Sequence, residues 1–296
     1  MKDVIFEKYG AYEPQIECLD MGFVKLLDCM PRVLREEEDT ADYAIGEAAR
    51  QSYKRETKTV ADDKTLIRYL MRHTHTSPLE MIEFKFHCKL PIFVAREMIR
   101  HRTANVNELS GRYSEMPEEY YIPGELRVQS LINTQGSEGS ISEGSVEMTK
   151  GFMRLQSQDA FKFYYRLLEQ GVAREQARIV LPLSTYTEWY WKIDLHNLLH
   201  FLNLRCDHHA QQEIRVYADA ILDLIKPIVP WTVSAWEDYS PYRGGMILTR
   251  FEVEAIRKRC YNTNTIVSDI ESSNKLEQRE WQEKAKRLGL DDNSHP

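Results

Sequence analysis

Residues Ile82 to Leu90, I-E-F-K-F-H-C-K-L, alternate apolar and polar side chains without a break. A period of two fits a strand that buries one face, and no helix can satisfy it. Ile82, Phe84, Phe86, Cys88 and Leu90 therefore face a core, and Glu83, Lys85, His87 and Lys89 face away. The chain must hold a sheet with one covered face. Pro91 follows directly and suits the first position of a helix, whose apolar stripe is Ile92, Phe93, Ala95, Met98 and Ile99.

The other elements arrange themselves around this pair. Residues 1–20 show no periodicity and read as an irregular extension. From Gly22, F-V-K-L-L-D-C-M reads as a short strand ended by Pro31. An acidic run, Glu36 to Asp39, leads into a helix from about Thr40, its cap, to Tyr53. A second helix starts near Asp62 with Leu66, Ile67, Leu70 and Met71 as its buried stripe. It breaks at H-T-H-T-S-P, since Pro78 disfavours helix at Ser77. Asn105 to Tyr113 reads as a loop, and R-Y-S-E-M-P-E-E-Y-Y-I-P as extended chain. Thr134 to Ser145 is a flexible polar surface excursion.

A helix from about Val146 to Gln170 stops at Gly171, and a short one in A-R-E-Q-A-R-I-V-L-P stops at Pro182. L-S-T-Y-T-E-W-Y-W-K-I reads as a strand, followed by helices at about Asp194–Cys206 and Ala210–Ile228. Ser268 to Leu290 is charged and reads as an exposed helix or partly disordered tail. Strands and helices mix without regular alternation, which gives an α+β class with one sheet flanked by helices. No glycine-rich loop joins a strand to a helix, so a dinucleotide-binding βαβ unit is excluded. The expected division is an extension over 1–20, a catalytic domain over 21–261 and a charged tail over 262–296.

Composition narrows the function classes. A net charge of -7 and a pI near 5.8 argue against a nucleic-acid-binding protein. Cys18, Cys29, Cys88, Cys206 and Cys260 are odd in number and lack C-x-x-C spacing, which points to reduced thiols in the cytoplasm. No apolar run is long enough to span a membrane, and the N-terminus lacks the apolar centre of a signal peptide.

Within this acidic chain, cations crowd where the Pro91 helix ends. Arg96 and Arg100 lie four apart, as do Glu97 and His101, and Arg100, His101 and Arg102 are consecutive. Three potential cations in a row need anions among them. Arg100 and Arg112 bracket the following loop, whose Ser110 and Gly111 let backbone approach a ligand, an arrangement suited to phosphate. His73 to Glu80 forms a second polar corner. Arg178 shares a helix face with Arg174, and His196 shares one with His200. A zinc site from His196, His200 and either His208 or Cys206 is conceivable, although no H-E-x-x-H or cysteine pair supports it. Residue types alone leave three classes open: a nucleotide enzyme, a phosphate-contacting nucleic-acid binder and a metal-dependent hydrolase.

The stretch R-H-R-T-A-N-V-N-E-L-S-G-R, from Arg100 to Arg112, resembles the signature R-H-R-x-x-S-x-N-x-x-S-x-R of the flavin-dependent thymidylate synthases, the ThyX family. Asn105 stands where the signature has Ser. The resemblance spans about Gly22 to Asp238 and implies a mixed sheet flanked by helices, assembled as a homotetramer with shared active sites. It implies FAD as cofactor, NADPH as its reductant, methylenetetrahydrofolate as carbon donor and dUMP as the substrate converted to dTMP. It implies no metal, no nucleic acid and no membrane.

By the same resemblance, dUMP is bound by Glu97, Arg100, Glu108, Leu109, Ser110, Gly111 and Arg112, with Arg178 and Arg205. The flavin is bound by His75 and Ser77, by Arg100, His101, Arg102 and Glu108, and by Asp194, Leu195, His196 and His200. The amides of Leu109, Ser110 and Gly111 would add donors to the phosphates. No cysteine lies in the P-C-Q setting of the cysteine-dependent enzymes; Cys206 is the nearest candidate and has no base arranged for it. Ser110 has no His-Asp pair, so it binds and does not attack. Activation of uracil C5 is then electrostatic, with Arg205 stabilising the uracil anion.

Overall fold

The computed structural model describes residues 14–32, 40–51, 60–131, 136–241, 245–261, 275–288 and 290. The chain divides into two compact units, 1–244 and 245–296. The first unit is built on a five-stranded sheet ordered β1-β2-β3-β7-β4. Its strands are β1 (Gln15–Cys18), β2 (Gly22–Met30), β3 (Glu83–Pro91), β4 (Asn105–Glu108) and β7 (Tyr186–Asp194). Every pairing is antiparallel, so the mixed sheet expected above is corrected to an antiparallel one.

The alternating segment is the central strand. It pairs with β2 on one side and with β7 on the other, in register Phe86↔Trp191 and Cys88↔Trp189. Phe84, Phe86, Cys88 and Leu90 are wholly buried, joined by Trp189, Trp191 and Ile193 from β7. The opposite face carries an ion pair, Lys192 to Glu83, and a hydrogen bond between His87 and Glu188, each at 2.9 Å. This one-faced burial is what strict alternation demands.

Helices cover the apolar face: α1 (Tyr43–Gln51), α2 (Val60–Arg72), α3 (Ile92–Met98), α6 (Leu195–Arg205), α7 (Gln212–Ile225) and α8 (Pro230–Tyr239). The long α4 (Glu143–Glu169) and the single turn α5 (Arg174–Ala177) pack around a smaller cluster of Met116, Phe161, Tyr164 and Ala177. Buried Asp42, just before α1, accepts from the backbone amides of Trp231 at 2.7 Å and Thr232 at 3.1 Å. These are otherwise unpaired donors in the first turn of α8, which sequence reading did not find. Burial pushes the Asp42 carboxyl up to about 6 despite these donors. No described helix is long and apolar enough to cross a membrane.

Several expectations change. Part of the supposedly irregular extension is β1, held to β2 by backbone pairing. Helix α1 begins at Tyr43, three residues beyond the expected cap Thr40. Pro91 ends β3 and takes the N-cap of α3 with extended backbone, so it sits one place before the first helical position. The buried face of α3 is Val94, Ala95 and Met98, whereas Ile99 is exposed. The start of the expected loop is β4, and the polar excursion contains β6 (Ser137–Ser140), which pairs with β5 (Arg127–Gln129) just before it. Glu36 to Asp39 and the end of the first helix at Tyr53 lie outside the described residues.

In the second unit α9 (Arg250–Tyr261) and α10 (Lys275–Arg287) form a cluster of their own. Trp281 is fully buried with Ala255 and Ala285, and Lys284 reaches Glu252 at 2.8 Å. The helix that was one of the two expected readings is present over Lys275–Arg287, but it is not wholly exposed, since Trp281 and Ala285 are buried.

Candidate active site

The crowd of cations after α3 is resolved by neutralising one of them. Arg205 is the last residue of α6, and its Nε–H donates to Nε2 of His101 at 3.1 Å. Accepting that bond requires a lone pair on Nε2, so the imidazole is neutral with its proton on Nδ1. The His101 ring meets Phe201 edge-on at 4.9 Å and lies 6.1 Å from His200. Burial, then the Arg205 charge and His200, hold its pKa down to about 4. Arg205 also faces Glu97, with Nη1 and Oε2 3.7 Å apart. Burial raises the Glu97 carboxyl above its ordinary range, and Arg205 opposes the shift only in part. Arg100 and Arg102 are exposed and have no ion pair among the described residues.

The neutral His101 has a consequence for stability. Its folded pKa lies below the ordinary 6.5, so the unfolded chain binds more protons between about pH 4 and 6.5. The contribution is complete above pH 6.5 and is lost as the pH falls towards 4. His101→Gln, which can still accept from Arg205, is expected to flatten this dependence. Denaturant unfolding at pH 5 and pH 7 of both proteins measures it, and equal slopes would rule the account out.

A cleft of about 220 Å³ lies beside this group. One wall is the turn after α2, with Thr74, His75 and Thr76; another is α6, with His196, His200 and Asn203; Trp236 and Tyr239 of α8 close the third. Thr74 has φ of 54°, a backbone region that side chains other than glycine rarely adopt. The amide of His75 then donates back to Leu70 O at 2.9 Å, and both His73 and His75 meet Tyr69. Asn203 Oδ1 accepts from Trp236 Nε1 at 2.7 Å and from Ser240 Oγ at 2.6 Å, which locks the floor. The contribution of α8 escaped sequence reading, because Trp236 and Tyr239 match no motif. Asn203 lay three residues beyond His200 and was its only trace.

Other expected flavin residues fall differently. Asp194 is the N-cap of α6, and its carboxylate accepts from the Asn197 backbone at 3.0 Å and side chain at 2.7 Å. Leu195 is fully buried in the core, which leaves its side chain out of reach of a ligand. Ser77 is exposed on the turn next to Thr76.

The Glu108 to Arg112 turn forms a separate group. Glu108 accepts from Thr187 Oγ1 at 2.8 Å, and the Leu109 amide is bonded to Glu188 O at 2.8 Å. The Leu109 donor is thus spent in the sheet and is not free for a phosphate, contrary to expectation. Ser110 Oγ accepts from the Arg112 amide at 3.3 Å. A Cβ on Gly111 would lie 3.0 Å from Met116 Sδ and 3.2 Å from Arg178 Cδ, so the glycine leaves room for the arginine to pass. Arg178 is the C-cap of α5 and opens a 3₁₀ turn (Arg178–Val180); its N–H is bonded to Arg174 O, so the two arginines stand one turn apart on one face, as expected. Arg112 pairs with Glu175 at 3.0 Å, both more than half exposed, a contact that an anion can displace at little cost. Among the described residues no hydrogen bond or ion pair joins this turn to Arg205.

The imagined zinc set does not assemble either. His196 and His200 line the cleft, whereas His208 groups with Asp207 and His209. Cys206 is half-buried; Cys18, Cys29 and Cys88 are buried, and burial pushes the Cys18 thiol up to about 12 and Cys88 higher still. Neither Cys18 nor Cys88 can form a thiolate near neutral pH.

Residues 33–231 match the family model described as Thy1, thymidylate synthase complementing protein. The chain is 49% identical over 281 residues to the flavin-dependent thymidylate synthase of Dictyostelium discoideum, covering 94% of this chain and 89% of the relative. It is 52% identical over 242 residues to the enzyme of the same description from Thermus thermophilus, covering 82% and 84%. Among solved structures it is similar to a UMP/dUMP methylase, PolB of Streptomyces cacaoi, bound with 5-Br dUMP. That match has a TM-score of 0.66 and 32% identity, and covers 76% of this chain and 98% of the other.

Proposed function

The chain belongs to the thymidylate synthase complementing protein family, the flavin-dependent thymidylate synthases, and from this we propose that it converts dUMP to dTMP. Residues 21–261 are its catalytic domain, between the extension and the tail. Methylenetetrahydrofolate supplies the carbon and NADPH the reducing equivalents. Bound FAD supplies hydride chemistry. The cleft suits part of a flavin: Leu70, Leu79 and Leu199 give an apolar lining, and His75, His196 and Asn203 give a polar rim. Its volume is below the roughly 300–1,000 Å³ of a complete small-molecule site. A homotetramer in which neighbouring copies complete each site accounts for the difference. Reduced thiols agree with a cytoplasmic setting.

The observation that carries the reading is the Glu97–Arg205–His101 arrangement. Uracil C5 becomes nucleophilic when negative charge builds up on the ring. A guanidinium that stays charged at any working pH stabilises that charge. Arg205 is held on one side by a carboxylate and on the other by a neutral imidazole, so it is oriented without being surrounded by anions. Arg100, Arg112 and Arg178 would hold the phosphate, and displacing Glu175 frees the Arg112 fork. Ser110, with its hydroxyl bonded to the Arg112 amide, shapes the turn. Glu108, held by Thr187, orients a ribose hydroxyl or an arginine.

The purified protein is expected to show flavin absorbance, to bleach with NADPH under anaerobic conditions and to form dTMP from dUMP and methylenetetrahydrofolate. Cys206→Ser should retain turnover within about an order of magnitude, because no thiolate attacks the ring. Absence of flavin after reconstitution with FAD would refute the assignment. Complete loss of turnover in a folded, flavin-loaded Cys206→Ser protein would refute the mechanism.

A further inference from the structure

Beyond the cleft, the chain leaves α6 through Cys206 and turns at Asp207, His208 and His209. Asp207 Oδ1 lies 2.8 Å from His209 Nδ1 and 3.8 Å from His208 Nδ1, and all three ligand atoms fall within 4.8 Å of one another. The two imidazole rings are in contact, with centroids 3.7 Å apart. His208 and His209 are largely exposed, at 78% and 62%, so neither is needed to fill a core. Arg215 fixes the turn from behind by donating to His208 O at 3.2 Å. Among the described residues this is the one group of three histidine, cysteine or carboxylate ligand atoms so close together.

We propose that Asp207, His208 and His209 form a binding site for a first-row divalent transition metal ion, with water completing its shell. Two imidazoles and one carboxylate suit zinc, iron(II), nickel or copper, and they disfavour calcium and magnesium, which take oxygen ligands. The separations of 2.8 and 3.8 Å bracket the roughly 3–3.5 Å that bonds of about 2.0–2.2 Å to a common ion impose, and the shorter one is a ring hydrogen bond that the ion would replace. The exposed rings can adjust the remainder. The group follows the C-terminal end of α6, where the helix dipole favours a cation. The backbone bond from His209 N–H to Asp207 Oδ1, at 2.8 Å, keeps the carboxylate oriented towards the rings.

The inference does not depend on the proposed reaction, and binding tests it directly. Zn²⁺ titrated by calorimetry into the tag-free, full-length flavoprotein is expected to fill one site per chain. His208→Ala/His209→Ala changes only exposed side chains. It should weaken binding at least about tenfold, equivalent to about 1.4 kcal/mol. Cys206→Ser should leave the affinity unchanged. No saturable Zn²⁺ binding in the wild-type protein would overturn the site. So would equal affinity in the double variant, or loss of binding in Cys206→Ser.

Discussion

Arg205→Ala is expected to keep its flavin and lose roughly 10²–10³ in the rate at which dUMP and methylenetetrahydrofolate oxidise the reduced cofactor, the range for removing one preorganised donor from a developing anion. Single-turnover oxidation isolates this step from reduction by NADPH. Arg205→Lys should recover only part of the rate, because an ammonium keeps the charge and loses the planar fork that reaches Glu97 and His101 together. The competing account is that Arg205 merely ends α6, where a cation is worth about 0.3–1 kcal/mol. That account predicts a slightly less stable protein with normal chemistry. Wild-type oxidation by Arg205→Ala at saturating dUMP would decide for it.

The second large effect is on folding. Gly22 opens β2 opposite Cys18, beneath Tyr217 of α7. A Cβ there would lie 2.0 Å from the Tyr217 hydroxyl, 2.7 Å from Lys89 O and 2.9 Å from Cys18 O. The Tyr217 hydroxyl donates to Lys89 O at 2.8 Å, so it cannot retreat without breaking a buried bond. Overpacking costs about 1–3 kcal/mol and a stranded polar group a similar amount. Gly22→Ala should therefore lose at least about 3 kcal/mol, and its Tm should fall by roughly 6–12 °C at the usual scaling. In Gly22→Ala/Tyr217→Phe the worst contact is gone while two carbonyl contacts stay, and part of the loss should return. An unchanged Tm in Gly22→Ala would contradict the packing described.

The central strand, most helices and the Arg100–Arg112 motif could be read in advance because each is written in residues close along the chain. Alternation placed β3, and leucines at helical spacing placed α6. The motif drew attention to Arg205 only through the family, since nothing local separates it from any arginine ending a helix. β4 was misread as a loop for a related reason. N-V-N-E is exposed throughout and carries no burial pattern; its strand character comes from pairing with β7, more than eighty residues away. The same holds for Leu109, whose amide looked free until Glu188 O was found bonded to it.

The sequence by itself determined which face of the central strand is buried, where the helices break and which residues are chemically able to hold a nucleotide. Those properties follow from side-chain polarity and backbone restriction, which act over a few residues. Only the tertiary structure decided the charge state of the site. R-H-R looked like three cations in need of anions; folding instead places Arg205, 104 residues downstream, against His101 and denies that ring its proton. It likewise assigned Asp194 to a helix cap, Leu195 to the core and Trp236 to the cleft. Protonation and access depend on desolvation and on charges brought close in space, and neither is fixed until distant segments pack.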